Sequence, residues 1–117
     1  MEFKYKLTKD KETRKKESQS LREKYPDYLP IVLEKDPTCR LKELKKTKYL
    51  LQKKYTVNQF LQEIREKVEM QEGEALFLQA KLKYALSAEK TIEEIYNSYK
   101  DEDGLLYIMY SSELIFG

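Results

Sequence analysis

The residues best suited to chemistry stand at the carboxyl end of this 117-residue chain, which finishes in Gly117. This glycine follows a short tail, SSELIF, that comes directly after an apolar and aromatic run at residues 105–110. A glycine carboxyl group has no Cβ beside it, so it can enter a narrow enzyme channel, be adenylated, pass to a thiol and be transferred to an amine. An ordinary chain end explains a last glycine equally well, so the tail alone leaves both interpretations open.

Other residue types that carry catalysis are scarce. The chain has no histidine, which excludes a histidine-based triad, and its one cysteine, Cys39, stands beside Arg40 with no evident base. No phosphate-binding loop or metal-ligand spacing is present, and the many carboxylates fall on charged helical faces, where pairing with lysine explains them. We therefore expect a protein that is not an enzyme and that needs no cofactor or metal.

Composition indicates one soluble globular domain. Charged residues make up 38% and hydrophobic residues 40%, with ten tyrosines and four phenylalanines to build an aromatic core. The first residues do not form a signal peptide, no run of about 18 apolar residues is present, and a single cysteine cannot form an internal disulfide. These features predict a cytoplasmic protein, and we expect a monomer in solution.

Charge is unevenly distributed along the chain. Residues 1–54 contain 17 lysines and arginines against 9 acidic residues, while residues 55–117 contain 6 against 12. A basic half can serve nucleic acid, anionic lipid or acidic peptides, or can be a plain solvated face. No RNA-binding signature, arginine-rich tract or zinc-ligand pair is present, so we expect no nucleic-acid partner; a basic RNA-binding module remains an alternative that salt-dependent retention on nucleic acid would reveal.

The order of elements predicts an α+β domain built around a grasp-like sheet. A lightly docked surface helix is expected from residue 8 or 10 to residue 25, before Pro26. Capping boxes at residues 56–59 and 91–94 begin two further helices, the first being the core helix. Strands are expected at residues 29–33, 48–51, 75–78 and 105–110.

Two of these strands have a predictable place in the sheet. The strand at 105–110 is apolar on both faces and is expected at the centre. The strand at 48–51 is flanked by lysines of the kind that protect an exposed edge. Pro30, which cannot donate a ladder hydrogen bond, suits an edge strand or the start of a strand.

Residue types at matching spacing over almost the whole chain resemble the autophagy ubiquitin-like modifiers, the family of GABARAP and the microtubule-associated protein light chains. The matching positions are Arg14, Glu17, Arg22, Lys24, Tyr25, Pro26, Asp27, Pro30, Val32, Glu34, Lys46, Lys48, Tyr49, Leu50, Thr56, Val57, Gln59, Phe60, Ile64, Arg65, Ala75, Leu76, Phe77, Asp103, Leu106, Tyr107, Ile108, Tyr110, Ser111, Glu113, Phe116 and Gly117.

The resemblance implies a ubiquitin-like β-grasp with two additional N-terminal helices. It divides the single domain, residues 1–117, into an N-terminal helical extension (1–25), a β-grasp core (26–110) and a flexible conjugation tail (111–117). It also implies conjugation of Gly117 to phosphatidylethanolamine on autophagosomal membranes by activating and conjugating enzymes, with a cysteine protease for processing and deconjugation. The expected location is the cytoplasm, and the autophagosome membrane when lipidated.

The resemblance further implies a groove for cargo receptors that carry aromatic-x-x-aliphatic motifs. Its aromatic pocket maps onto Glu17, Leu21, Pro30, Val32, Lys48, Leu50 and Leu105. Its aliphatic pocket maps onto Tyr49, Leu51, Tyr55, Phe60 and Ile64. Lys46 and Lys48 are expected to attract acidic residues that flank the motif.

Several departures from the family pattern mark the chain as a divergent member. Glu63 stands at the rim of the aliphatic pocket where an apolar residue is usual, Gln52 replaces a usual proline, and Tyr28 replaces a usual basic residue. Residues 80–84, with about one extra residue, predict a reshaped hairpin after the third strand. We expect a narrower range of partners, and an unconjugated adaptor in trafficking or microtubule binding remains the alternative function.

Overall fold

The computed structural model describes residues 2–114, so the predicted role of Gly117 lies outside the described residues. The chain begins with two helices, α1 (Lys4–Thr8) and α2 (Lys11–Lys24). Asp10 caps α2 by accepting a hydrogen bond from the Thr13 N–H at 2.8 Å, and Pro26 follows the end of the helix. The predicted surface helix is confirmed, and α1 supplies the second N-terminal helix that the resemblance implies.

Within residues 2–114, five strands form one mixed sheet: β1 (Tyr28–Lys35), β2 (Lys48–Gln52), β3 (Phe77–Ala80), β4 (Tyr84–Ala85) and β5 (Leu106–Ser111). Their spatial order is β2-β1-β5-β3-β4, which confirms that the last strand is central and that β2 is an edge. All six residues of β5 are buried, as its two-sided apolar pattern predicts. The strand pairs in parallel with β1 and antiparallel with β3.

Pro30 lies in β1, which is an interior strand of the sheet. Of the two positions predicted for this proline, the edge strand is therefore wrong. Pro30 is nevertheless close to the start of the strand, because β1 pairs with β5 only from Ile31, opposite Leu106. The missing N–H of Pro30 therefore falls before the β1–β5 ladder begins and removes no bond from it.

Both predicted capping boxes are present and begin α3 (Val57–Lys67) and α4 (Ile92–Tyr99). At the start of α3, the Thr56 hydroxyl accepts from the Gln59 N–H at 3.1 Å, and the Gln59 side chain accepts from the Thr56 N–H at 2.9 Å. Thr91 and Glu94 repeat this exchange at the start of α4. Among residues 2–114, no helix is long and apolar enough to cross a membrane.

The sheet is covered on both faces. Helix α3 packs Phe60 and Ile64, both fully buried, into the main apolar core on one face. On the other face a second apolar cluster forms around the N-terminal helices, and its members are Phe3, Tyr5, Val32, Leu105, Tyr107 and Met109. The α+β arrangement is confirmed.

Two local features differ from the sequence prediction. Strand β3 begins at Phe77 rather than at residue 75, because its pairing with β5 starts opposite Ser111. The segment after β3 forms a turn into the short strand β4, with Lys81 and Leu82 in the left-handed region at φ 54° and 56°. The prediction missed β4 as an element, although it expected a reshaped hairpin here.

Candidate peptide-binding groove

Among residues 2–114, strand β2 has no partner strand on one of its two sides. Its register with β1 is bracketed by two hydrogen bonds, from the Leu33 N–H to the Thr47 carbonyl at 2.7 Å and from the Lys53 N–H to the Asp27 carbonyl at 3.0 Å. In an antiparallel pair the bonded positions alternate, so every second residue of β2 points its N–H and C=O away from β1. The outward-pointing residues are Lys48, Leu50 and Gln52.

The side chains of β2 also alternate, so the open edge is bordered by a different surface on each face of the sheet. Tyr49 and Leu51 are buried in the main core beneath α3. Lys48, Leu50 and Gln52 point to the face that carries α2, and Leu50 is half-buried there. Two residues three apart in an added strand point to opposite faces, which matches pockets on opposite sides of β2.

The structure gathers the predicted aromatic pocket on the α2 side of the edge. Pro30 lies opposite Leu50, and Val32 lies opposite Lys48. Val32 and Leu105 are 0% and 1% exposed and belong to the second apolar cluster, so they can form only the base of a pocket. The two positions from α2, Glu17 and Leu21, are one turn apart and both half-buried.

Glu17 is the centre of a charged network at this pocket. Its carboxylate forms ion pairs with the Lys48 ammonium at 2.6 Å and with the Lys9 ammonium at 2.8 Å, and it accepts a hydrogen bond from the Tyr5 hydroxyl. Burial raises the pKa of Glu17, but the bonds from Lys48, Lys9 and Tyr5 outweigh burial and lower the pKa from 4.5 to about 2. Glu17 is therefore a stable carboxylate, and Lys48 already has a partner within the chain.

The residues of the predicted aliphatic pocket meet on the α3 side. Phe60 is fully buried and makes edge contacts with the rings of Tyr49, 5.6 Å away, and Tyr55, 6.4 Å away. Ile64 follows one turn later on α3 and is also fully buried, while Leu51 is 8% exposed. Tyr55 is half-buried and packs against the edge of this core.

At the rim of this pocket, the Glu63 side chain links Tyr55 to Lys67 through two hydrogen bonds. Its two carboxylate oxygens accept from the Tyr55 hydroxyl at 2.8 Å and from the Lys67 ammonium at 2.7 Å. Burial raises the pKa of Glu63, but the bonds from Lys67 and Tyr55 outweigh burial and lower it. Burial and the same bond to Glu63 raise the pKa of Tyr55 to about 12. At ordinary pH, Glu63 and Lys67 therefore form an ion pair, and Tyr55 is a neutral hydrogen-bond donor to Glu63.

Two ammonium groups lie against the ring of Tyr49, next to Glu63. The Nζ of Lys46 is 4.6 Å from the ring centroid and the Nζ of Lys67 is 4.9 Å from it. The Tyr49 hydroxyl is buried and has no hydrogen-bond partner among residues 2–114. Lys46 forms no ion pair with any carboxylate within the same residues.

Two of the departures from the family pattern contact each other at the far end of β2. Tyr28 lies opposite Gln52, and the Gln52 side-chain amide donates to the Tyr28 hydroxyl at 3.2 Å. This neutral pair occupies a position where the family pattern places a cation. The charge at this end of the groove is therefore reduced.

Sequence reasoning missed three residues of the site, namely Tyr5, Lys9 and Lys67. Lys67 had a usable signal, because it stands four residues after Glu63 on a predicted helix. Tyr5 and Lys9 belong to the N-terminal segment, whose contacts with Glu17 arise only when α1 and α2 are folded together.

A mixed five-stranded sheet, crossed by one core helix and preceded by two short helices, defines a protein of the ubiquitin-like class. A family model described as "Autophagy protein Atg8 ubiquitin like" matches residues 13–117. Autophagy-related protein 8e of Arabidopsis thaliana is 37% identical over 113 residues, which cover 97% of this chain and 92% of that protein. The crystal structure of Trypanosoma brucei ATG8 is also 37% identical, covers 100% of both chains and matches with a TM-score of 0.89.

The chain belongs to the Atg8 family of ubiquitin-like autophagy proteins. The resemblance drawn from the residues is confirmed, as is the ubiquitin-like fold with helices at the N-terminus.

Proposed function

We propose that this chain is a modifier that is joined through the Gly117 carboxyl to phosphatidylethanolamine on autophagosomal membranes, where it binds aromatic-x-x-aliphatic motifs of cargo receptors. Activating and conjugating enzymes attach it, and a cysteine protease processes and releases it. The protein is cytoplasmic before conjugation and resides on the autophagosome membrane afterwards.

The open edge of β2, with predicted pockets on opposite faces, is the observation that supports the groove. An extended ligand paired with β2 points an aromatic residue towards α2 and, three positions later, an aliphatic residue towards α3. A motif with even spacing would point both anchors to one face. The three-residue spacing therefore follows from the geometry of this edge.

The expected free energies indicate that micromolar binding of a peptide needs both the backbone pairing with β2 and the two anchor side chains. Two to four strand hydrogen bonds contribute about 0.5–1.5 kcal/mol net each, and a fully buried apolar side chain contributes about 1.5–3 kcal/mol. After the cost of association, the expected binding free energy is about −8 kcal/mol, which corresponds to a roughly micromolar dissociation constant.

Membrane attachment is supported by Gly117 and by a family match that extends to this residue. Lysines near an anionic surface contribute about 1 kcal/mol each, and salt screens them. Two long acyl chains contribute about 0.8 kcal/mol per buried methylene, which gives far more durable attachment. The covalent lipid, rather than the basic N-terminal half, would therefore hold the protein on membranes.

The groove is tested by titrating an aromatic-x-x-aliphatic peptide into the Leu50→Ala variant. Leu50 is half-buried at the open edge and lines the aromatic pocket, so its loss should weaken binding about tenfold without unfolding the protein. Leu86→Ala removes a half-buried leucine at the other edge of the sheet and serves as the matched control. Equal affinity of Leu50→Ala and Leu86→Ala would exclude this groove.

Conjugation is tested in a reconstituted reaction with liposomes that contain phosphatidylethanolamine. Gly117→Ala should remain folded and stay in the supernatant, whereas the Ser112→Ala control should be lipidated and sediment. Intact mass gives the lipid addition directly. Lipidation of Gly117→Ala would refute the role of this glycine; retained peptide binding without any thioester to an activating enzyme would favour the unconjugated adaptor.

A further inference from the structure

On the α3 side of the groove, the ammonium groups of Lys46 and Lys67 lie against the ring of Tyr49, whose hydroxyl is buried. The carboxylate of Glu63 contacts the Lys67 ammonium, and Lys46 has no ion pair among residues 2–114. Glu63 bonds to Lys67 and to Tyr55, while the Tyr49 hydroxyl has no partner among residues 2–114. A buried donor without an acceptor is unfavourable by about 1–3 kcal/mol, so this region favours an incoming acceptor.

The alternation of an added strand identifies which ligand residue meets this region. With the aromatic anchor pointing towards α2, the next residue and the aliphatic anchor both point towards α3. The residue that directly follows the aromatic anchor therefore faces the same surface as Glu63 and Lys67. An acidic side chain at that ligand position would compete with Glu63 for the Lys67 ammonium.

We propose that Glu63 is a specificity-determining residue, whose carboxylate occupies from within the chain the place at Lys67 that an acidic ligand residue would take. The inference rests on the proposed groove. The protein consequently gains little affinity from an acidic residue directly after the aromatic anchor of a peptide. Lys48 is paired with Glu17 in the same manner on the α2 side. Lys46 has no carboxylate partner within the described part of the chain, so it is available to attract acidic residues of a ligand.

This arrangement distinguishes a specificity role from a structural one. Glu63 is 31% exposed and Lys67 is 40% exposed, so an ion pair between them contributes little to folding. Removing the carboxylate should leave the fold in place and release Lys67 for a ligand. A stabilising role alone would change the unfolding free energy and leave the ligand preference as it is.

The test compares two peptides that differ only in having Asp or Asn directly after the aromatic anchor. Titrations use the wild-type protein, Glu63→Gln and, as a control, Glu66→Gln on an exposed position of the same helix. We expect wild type and Glu66→Gln to bind both peptides within about twofold of each other, and Glu63→Gln to prefer the Asp peptide by about three- to fivefold. In Glu63→Gln, that preference should shrink as salt is added.

Each other outcome has a definite meaning. An unchanged Asn-to-Asp ratio in Glu63→Gln, with both peptides still binding, overturns this inference and leaves the groove standing. A strong preference for Asp already in the wild type does the same. Failure of both peptides to bind any of the three proteins overturns the groove itself, and the inference with it. Glu63→Leu, which restores an apolar side chain, should give the same loss of competition if Glu63→Gln is poorly folded.

Discussion

At the scale of single residues, Glu17 links the N-terminal helices to the groove. Its carboxylate receives Tyr5 and Lys9 from the first nine residues and Lys48 from the edge strand. The pKa of Glu17 therefore depends on whether the N-terminal segment, α2 and β2 are docked together. Since its side chain is 21% exposed, the network is partly shielded from solvent.

Glu17 makes stability depend on pH in a predictable direction. Its folded-state pKa is lowered from 4.5 to about 2, so its contribution is fully present above pH 4.5 and is lost as the pH falls towards 2. We expect Glu17→Gln to lower the unfolding free energy by about 1–2 kcal/mol at pH 7, and the difference from wild type to shrink between pH 4.5 and pH 2.5.

The measurement is urea unfolding across this pH range, with Glu23→Gln as the control. Glu23 is an exposed residue of the same helix that accepts a hydrogen bond only from Gln19 among the residues described. A constant difference between Glu17→Gln and wild type from pH 7 to pH 2.5 would contradict the assigned ionisation.

The open edge of the sheet was predictable from the residues, but the charge state of the proposed groove was not. Flanking lysines indicated the edge strand, whereas the residues of the two predicted pockets came only from the resemblance to the family. The pairing of Lys48 with Glu17, and the lack of a partner for the Tyr49 hydroxyl among the described residues, depend on side-chain positions in three dimensions. No local pattern encodes such contacts between distant segments.

At the scale of elements, local signals located the helix starts better than the strand ends. Each capping box placed a helix start correctly, because a cap is a short-range set of hydrogen bonds. Strand β3 was misplaced by two residues, because strand pairing depends on the partner strand. The Arg65 guanidinium also donates a hydrogen bond to the Glu74 carbonyl at 2.9 Å. This bond keeps the segment before β3 against the end of α3.

The docking of α2 against the turn before β5 depends on Gly104. This glycine has φ +86°, and a Cβ there would collide with the Ser18 hydroxyl and come within 3.1 Å of Arg22 Nη2. Ser18 is fully buried, so it has little space in which to move. Gly73 has nearly the same φ, +88°, but apart from its chain neighbours no atom of the described residues lies within 4 Å of the added Cβ.

Alanine substitutions at the two glycines therefore separate the cost of backbone strain from the cost of the steric clash with α2. We expect Gly73→Ala to lower the unfolding free energy by about 1–2 kcal/mol, from the left-handed backbone alone. Gly104→Ala should lower it by about 2–4 kcal/mol, because overpacking against α2 is added. Equal losses in urea unfolding would show that α2 accommodates the methyl group and is docked more loosely than its contacts indicate.

At the scale of the whole molecule, the N-terminal extension closes one face of the sheet. The second apolar cluster joins Phe3 and Tyr5 of the extension to Val32, Tyr107 and Met109 of the sheet, all at most 8% exposed. A buried ion pair also links the extension to the turn before β5: Arg14 contacts Asp103 at 2.7 Å, and the Asp103 side chain is 0% exposed. The extension is therefore an integral layer of the described fold.

Two apolar residues of the extension test this conclusion because they differ mainly in burial. Phe3 is 5% exposed and its ring lies 5.1 Å from that of Tyr107, whereas Leu7 is 70% exposed. We expect Phe3→Ala to lower the unfolding free energy by about 3 kcal/mol and Leu7→Ala to change it by less than about 0.5 kcal/mol. The measurements are urea unfolding and binding of an apolar dye, which should increase only for Phe3→Ala as the sheet face is uncovered. Similar values for the two variants would mean that the extension detaches in solution and that the β-grasp core is stable without it.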